Sequence, residues 1–156
     1  MTSRRKAQRL SAPRLQDTVR LSAEGLAKVL GDLEARVLRT VWRFDRPQPA
    51  RVIHMRLLEE HTVSHLTTIT VLNKLVAKGI LSRTSWDGLF HYSALLREDQ
   101  FMKMASRHVV EGILSLQPDA VTASFVDVLA EHRPEQLEEL ARLVRRRIRE
   151  QGTKEE

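Results

Sequence analysis

The chain has 156 residues, 42% of them hydrophobic, which is enough for one folded domain or one domain plus an appendage. It has no cysteine, which excludes disulfides, thiol catalysis and cysteine-ligated zinc. Aromatic residues make up only 4%, which favours a mostly helical protein. No apolar run approaches the roughly 18 residues of a membrane span, and no secretory signal is expected. The sequence therefore predicts a cytosolic protein without a membrane partner.

The net charge of +6 is concentrated at the N-terminus. Residues 1–20 contain six basic side chains (Arg4, Arg5, Lys6, Arg9, Arg14 and Arg20) and one acidic side chain, Asp17. This segment lacks sustained periodicity, so we expect residues 1–22 to be a largely disordered basic arm. Such an arm suits attraction to phosphate. A solvated tail without a role is the alternative.

Three helices are predicted in the region after the arm. Asp32 is the expected N-cap of the first helix, whose apolar face ends at Trp42. The second helix covers about 50–60. Ser64 is the expected N-cap of the third, and Gly79 ends it.

The third helix has two faces, and a hairpin follows it directly. Strands are predicted at 81–85 and 89–93, with the turn at Asp87–Gly88. The inner face of the helix carries Thr68, Val71, Leu72 and Leu75. A short helix followed by a hairpin is the winged helix-turn-helix arrangement, which indicates a protein that reads duplex DNA.

The outer face of the third helix and the wing supply the predicted DNA contacts. These are His65, Leu66, Thr67, Ile69, Thr70, Asn73, Lys74, Arg83 and Trp86. The apolar members could meet thymine methyl groups, whereas the hydroxyl and amide groups could donate to base edges or phosphates. The two basic side chains suit phosphate. Trp86 could instead pack on its own hairpin. His65 and His91 are interpreted as polar surface groups near DNA.

No enzyme, metal site or cofactor site is predicted. His61 and His65 are four residues apart, a separation compatible with zinc on a helix. Ser64 caps the helix between them, however, and no carboxylate pair completes a site. The sequence also lacks a glycine-rich phosphate loop, a nucleophile elbow and a metalloprotease motif.

The C-terminal region is predicted to form three more helices, at about 97–116, 119–131 and 134–150. These three helices carry more apolar residues than they could bury by packing on one another, so we expect a second copy of the chain to cover the remainder. The predicted fold is mainly α with a small β-hairpin. Its parts are the arm at 1–22, a winged-helix domain at 23–96, a helical dimerisation region at 97–150 and a disordered tail at 151–156.

Several motifs together resemble the penicillinase-repressor family (BlaI/MecI/CopY type). They are LGDLEARVLRTVW at 30–42, TVLNKLVAKG at 70–79, FHY at 90–92, ASFVD at 123–127 and QLEEL at 136–140. Each motif is loose, but their order and spacing are specific. The resemblance covers about residues 30–149.

The resemblance implies a homodimeric repressor that binds a palindromic operator on double-stranded DNA. Some members of that family are inactivated by proteolysis in the penultimate helix, and others by metal ions. The cleavage position falls here on Ser124 and Phe125, which makes them a candidate proteolytic switch and a sensor protease a candidate partner. The family's usual Asn-Phe pair is absent at this position, as are the C-terminal cysteines of the copper-responsive branch. The alternative function is a protein-interaction adaptor that keeps the winged helix without reading an operator.

Overall fold

The computed structural model describes residues 14–15, 20 and 23–153. It divides into two compact units between Val109 and Val110, and each unit is described by itself. Most of the predicted basic arm and the last three residues of the predicted tail lie outside the described residues, so the prediction that they are disordered is not addressed by the structure.

The described part is mainly helical with one small antiparallel sheet. After a single 3-10 turn at Gly25–Lys28, the elements are α1 Asp32–Trp42, β1 Gln48–Pro49, α2 Ala50–Leu58, α3 His65–Ala77, β2 Leu81–Trp86, β3 Leu89–Ala94, α4 Glu98–Leu114, α5 Pro118–His132 and α6 Pro134–Gly152. The predicted fold class, a winged helix-turn-helix followed by C-terminal helices, is confirmed.

The core of the first unit lies between α1, α2, α3 and the sheet. Leu38, Ile53, Leu72 and Leu75 are fully buried there. The beginning of α4 packs on the same core, since the Phe101 ring meets the Trp42 ring edge-on with centroids 5.6 Å apart. Because the apolar face of α3 packs into this core, its polar face points toward solvent.

The start of α1 differs from the sequence prediction. Asp32 is the first helical residue, and Gly31 is the N-cap. Glu34, the third residue of the helix, accepts the backbone N–H of the cap residue Gly31 through its Oε2 at 3.1 Å, which is the reciprocal half of a capping box. Glu34 also accepts from Lys78 Nζ at 2.7 Å, which joins the start of α1 to the end of α3.

A second ion pair joins the end of α1 to the end of α2. The Arg43 guanidinium donates to Glu60 Oε1 at 2.6 Å. This hydrogen bond lowers the pKa of the Glu60 carboxyl from its ordinary value. The groups are exposed, so the pair orients the two helix ends rather than forming part of the core.

The limits of α3 follow the predicted capping residues. Ser64 Oγ accepts the Thr67 N–H at 3.0 Å, which confirms Ser64 as the N-cap. At the other end Gly79 has a φ of +71°, a left-handed conformation that glycine adopts without strain. The helix is thereby fixed at both ends over 13 residues.

The sheet has the order β1-β3-β2, so the wing hairpin carries an additional short strand. The predicted turn is confirmed, because Asp87 and Gly88 have φ values of +50° and +73°. The sequence prediction missed β1, which pairs Gln48 with Tyr92 and Pro49 with His91. His91 was predicted to be a surface group, but it is only 9% exposed. Pro49 of β1 and Thr84 of β2 are its cross-strand neighbours, and the Trp86 ring lies beside it with centroids 5.3 Å apart.

Three described residues of the predicted arm contact the winged helix. The Arg14 N–H donates to Lys78 O at 2.7 Å, and Leu15 packs against the core. The Arg20 guanidinium donates to Asp32 Oδ1 at 2.8 Å. The sequence analysis placed Arg20 in a largely disordered arm, whereas its side chain is bound to the start of α1.

The second unit contains the end of α4 with α5 and α6. Leu129 is 8% exposed and is the one buried apolar residue between Val110 and Thr153. Exposed apolar side chains there are Val110, Leu114, Leu116, Phe125, Val126, Val128, Leu143, Val144 and Ile148. Within residues 23–153, no helix is long and apolar enough to cross a membrane.

Candidate nucleic-acid interface

The outer face of α3 presents most of the predicted contact residues to solvent. Leu66 is 73% exposed. His65, Thr67, Thr70 and Lys74 are exposed as well, whereas Ile69 and Asn73 are half-buried. These side chains are exposed because the opposite side of the helix packs against α1 and α2. The residues buried on that side are Thr68, Val71, Leu72 and Leu75.

Two threonine hydroxyls on this face already have partners within the helix. Thr70 Oγ1 donates to Leu66 O at 3.0 Å, and Thr67 Oγ1 lies 2.7 Å from Ser64 Oγ. Thr70 therefore keeps its oxygen lone pairs and its methyl group for a partner, while its hydrogen is engaged. A base-edge donor or a thymine methyl would match what this side chain offers.

Asn73 connects α3 to the wing. Its Oδ1 accepts from Arg83 at 2.9 Å and from the Tyr92 hydroxyl at 3.1 Å. The Asn73 Nδ2 group remains as a donor. The Arg83 guanidinium also lies 4.3 Å from the centre of the Phe90 ring, a cation–π contact. The polar groups of helix and wing are consequently held in one arrangement before any partner binds.

Trp86 lies near the tip of the wing and packs on its own hairpin, one of the two alternatives given by the sequence analysis. Its side chain is 73% exposed, yet its ring lies 5.3 Å from the His91 ring. One face of the indole is therefore supported by the hairpin, and the rest is available to a partner.

His54 of α2 belongs to a hydrogen-bond network with the first turn of α3, and the His65 ring packs beside it. The His65 and His54 rings lie 5.2 Å apart. His54 Nδ1 is 2.9 Å from Thr68 Oγ1, which itself donates to Ser64 O at 3.2 Å. His54 Nδ1 must then be the donor to that oxygen. Among the residues that the structure describes, no group of three or more histidine, cysteine or acidic side chains could hold a metal ion.

The lysines near the end of α3 differ in their partners. Lys78 Nζ is bound by Glu34 through both carboxylate oxygens, at 2.7 and 2.9 Å. Lys74 is exposed, and no ion pair to it is found among residues 23–153. Of the two lysines, Lys74 is therefore the one whose ammonium group is available to pair with a phosphate and release its counterion.

A cleft of about 800 Å³ lies between α2, α3 and the wing. It brings together His65, Ile69, Asn73 and Arg83 with residues that the sequence analysis did not select: Arg51, Val52 and Met55 from α2, and Tyr92 from β3. The apolar periodicity of α2 pointed to its buried side only. For Arg51 the sequence offered one signal: Pro49 marks the start of α2, which places Arg51 in the first turn of that helix.

Ser124 and Phe125 lie on a different surface, in the middle of α5. Phe125 is 52% exposed and lines a groove of about 410 Å³ with Leu116, Val121 and Val128. These two residues are in the second unit, whereas all the predicted DNA contacts are in the first.

Comparison with known proteins gives a family and two relatives. A family model described as penicillinase repressor matches residues 30–146. Two relatives named transcriptional regulator BlaI, from Mycobacterium tuberculosis strains CDC 1551 / Oshkosh and ATCC 25618 / H37Rv, are each 24% identical to this chain over 120 residues. Each alignment covers 66% of this chain and 87% of the relative.

Proposed function

The chain belongs to the penicillinase repressor family of transcriptional regulators, and we propose that it is a homodimeric repressor that binds a palindromic operator with α3 and the wing. The observation that carries this proposal is the outer face of α3. It combines exposed groups for base edges with an exposed lysine, and Asn73 fixes the wing arginine beside it. A regulator with this activity acts where DNA is, in the cytosol or nucleoid.

Each part of this surface has a proposed role. Leu66, Ile69 and Thr70 face the major groove, where apolar groups meet thymine methyls and hydroxyls meet base edges. Lys74 and Arg83 neutralise phosphates, which sets affinity and its salt dependence. His65, Thr67, Asn73 and Trp86 complete the contact surface at the two ends of the helix and at the wing tip.

Dimerisation is proposed from the exposed apolar surface of the second unit. Leu116 is 79% exposed, and Ile148 is 62% exposed. Leu116 also lines an apolar groove with Val121, Phe125 and Val128, and clustered exposed apolar side chains of this kind mark an association surface. A two-fold dimer buries the same patch of both copies and presents two α3 helices to two half-sites.

A sensor protease that cuts between Ser124 and Phe125 is the proposed route of release. The bond lies within the helix Pro118–His132, so a protease could take it as an extended substrate only after local opening of α5. Cleavage there would divide the region to which dimerisation is assigned, and the two α3 helices would then bind as separate, weaker units.

Fluorescence anisotropy with a duplex from the region upstream of the protein's own coding sequence tests the proposal. A scrambled duplex of the same length is the control. We expect tighter binding to the upstream duplex at each of several salt concentrations, with affinity for both falling as salt rises. Thr70→Ala should relax discrimination at one base position per half-site by roughly 1–3 kcal/mol. Equal binding to the two duplexes would support the adaptor function, for which exposed Leu66 would be a protein contact.

A further inference from the structure

The cleft beside α3 has the size and lining of a small-molecule site. Its volume is about 800 Å³, and ligand pockets range from about 300 to 1,000 Å³. Its apolar lining includes Val52, Met55, Ile69, Leu89 and Phe90. Four of these five are exposed in the chain, with Met55 at 59% and Leu89 at 57%. This apolar surface would be removed from water by a ligand with an apolar body.

Fixed hydrogen-bond donors line the same cleft. Asn73 Oδ1 is saturated by Arg83 and by the Tyr92 hydroxyl, which leaves the Asn73 Nδ2 group as a donor. Arg83 is held further by its contact with the Phe90 ring. A guanidinium has five N–H groups, so the bond to Asn73 leaves others for a ligand. Because these donors are already positioned, a ligand would not bear the full entropy cost of ordering them.

The charge of the lining selects the sign of the ligand. Arg51 and Arg83 both line the cleft, and none of the described residues that line it is acidic. A cationic ligand would have no counter-charge there. A neutral apolar ligand would cover the donors without pairing them, which is unfavourable. An anion with an apolar body satisfies both the walls and the donors.

We propose that this cleft binds a small apolar anion, such as an aromatic carboxylate, and that this ligand and duplex DNA exclude each other. The carboxylate pairs with Arg83 and Asn73 Nδ2, and the ring lies against Met55, Val52 and Phe90. The exclusion of DNA rests on the proposed function, since Asn73 and Arg83 are also assigned to DNA. Binding of the anion alone does not depend on that function.

Isothermal titration calorimetry of the full-length protein with 2-naphthoate, in the absence of DNA, tests the site. The matched control ligand is 2-naphthamide, which has the same rings and no charge. We expect saturable binding of one naphthoate per chain. The amide should bind about tenfold more weakly or worse, because it lacks a charge-assisted hydrogen bond. Absence of saturable naphthoate binding at millimolar concentration, or equal affinity for the two ligands, overturns the proposal.

Variants locate the binding to this cleft. Met55→Glu places a carboxylate in the wall and should abolish naphthoate binding. Leu58→Glu is the matched control, since Leu58 is on the same helix, is 45% exposed and does not line the cleft. Equal effects of the two substitutions overturn the proposal. Because circular dichroism could show Met55→Glu to be unfolded, Arg83→Gln provides an independent test: it should bring the affinities of acid and amide together, and undiminished preference for the acid overturns the proposal.

A competition arm separates this inference from the proposed function. Naphthoate should lower the anisotropy of a bound upstream duplex with wild-type protein, and the Leu58→Glu variant should respond in the same way. If the protein binds naphthoate but no duplex, the anion site stands and the proposed function fails. If it binds both ligands at once, the mutual exclusion is overturned.

Discussion

The salt dependence of DNA binding should distinguish Lys74 from Lys78, two lysines that lie one helical turn apart at the end of α3. Lys74 is exposed and has no ion pair within residues 23–153, whereas Lys78 is bound at 2.7 Å by Glu34. Only Lys74 is expected to displace counterions from a phosphate. Lys74→Ala should therefore reduce the salt slope of DNA binding, and Lys78→Ala should leave the slope unchanged while lowering thermal stability.

The size of this effect follows from how many phosphates the Lys74 side chains neutralise. Each neutralised phosphate contributes about 0.9 to the slope of log affinity against log salt, so removal of the Lys74 amine from both copies of a dimer subtracts about 1.8. Over an approximately fourfold rise in salt, the ratio of wild-type to variant affinity should fall about twelvefold for a dimer, and about three- to fourfold if one copy contacts the duplex.

Fluorescence anisotropy titrations of wild type, Lys74→Ala and Lys78→Ala at four or more salt concentrations measure these slopes. Melting curves confirm that each variant is folded at the temperature of the assay. Equal slopes for wild type and Lys74→Ala would refute the assignment of a phosphate to Lys74. A slope reduced by Lys78→Ala would refute the argument that its ion pair with Glu34 withholds it from DNA.

Three further predictions concern stability, assembly and pH. Thr68→Val removes the acceptor of the half-buried His54 Nδ1–H and should lower the free energy of unfolding by about 1–3 kcal/mol, which urea denaturation measures; an unchanged midpoint would contradict the network. Phe125→Glu should convert the dimer to a monomer in light scattering, because it places a charge in the exposed apolar groove of the second unit; a dimer that persists would move the interface elsewhere. Arg43→Gln should raise the pKa of Glu60 toward its ordinary value, observed by NMR titration. In the wild type the pKa of Glu60 is lowered, so this ion pair stabilises the fold at pH values above the ordinary glutamate pKa and ceases to do so as pH falls through the lowered pKa. Identical Glu60 titration curves in wild type and variant would show that Arg43 does not lower this pKa.

The elements that sequence analysis predicted correctly are those set by local rules. Apolar spacing located the buried face of α3, Ser64 marked its beginning, and Asp87–Gly88 marked the turn of the wing. Each of these signals lies within a few residues of the feature it predicts. The outward face of α3 could be identified from the sequence alone, because the spacing of the inward residues leaves only the other side of the helix for solvent.

The features that sequence analysis missed depend on residues far apart in the chain. β1 has only two residues and exists through its pairing with β3, in which Pro49 lies opposite His91. The hydrogen bonds of Asn73 to Arg83 and Tyr92 cross from helix to wing over 10 and 19 positions. Periodicity assigns a residue to a face, but it does not determine which side chains meet across elements. The cleft between α2, α3 and the wing could not be predicted from the sequence for the same reason.

The central claim, that the outer face of α3 lies against DNA in a two-fold complex, can be tested by affinity cleavage. The chain has no cysteine, so Leu66→Cys supplies one attachment point for an iron–EDTA reagent on a residue of that face that is 73% exposed. Arg39→Cys, on the exposed side of α1, is the control. We predict two clusters of cuts related by a dyad from the Leu66 label and little cleavage from the Arg39 label. Comparable cleavage from both labels, or none from Leu66 while the duplex remains bound, would contradict the claim.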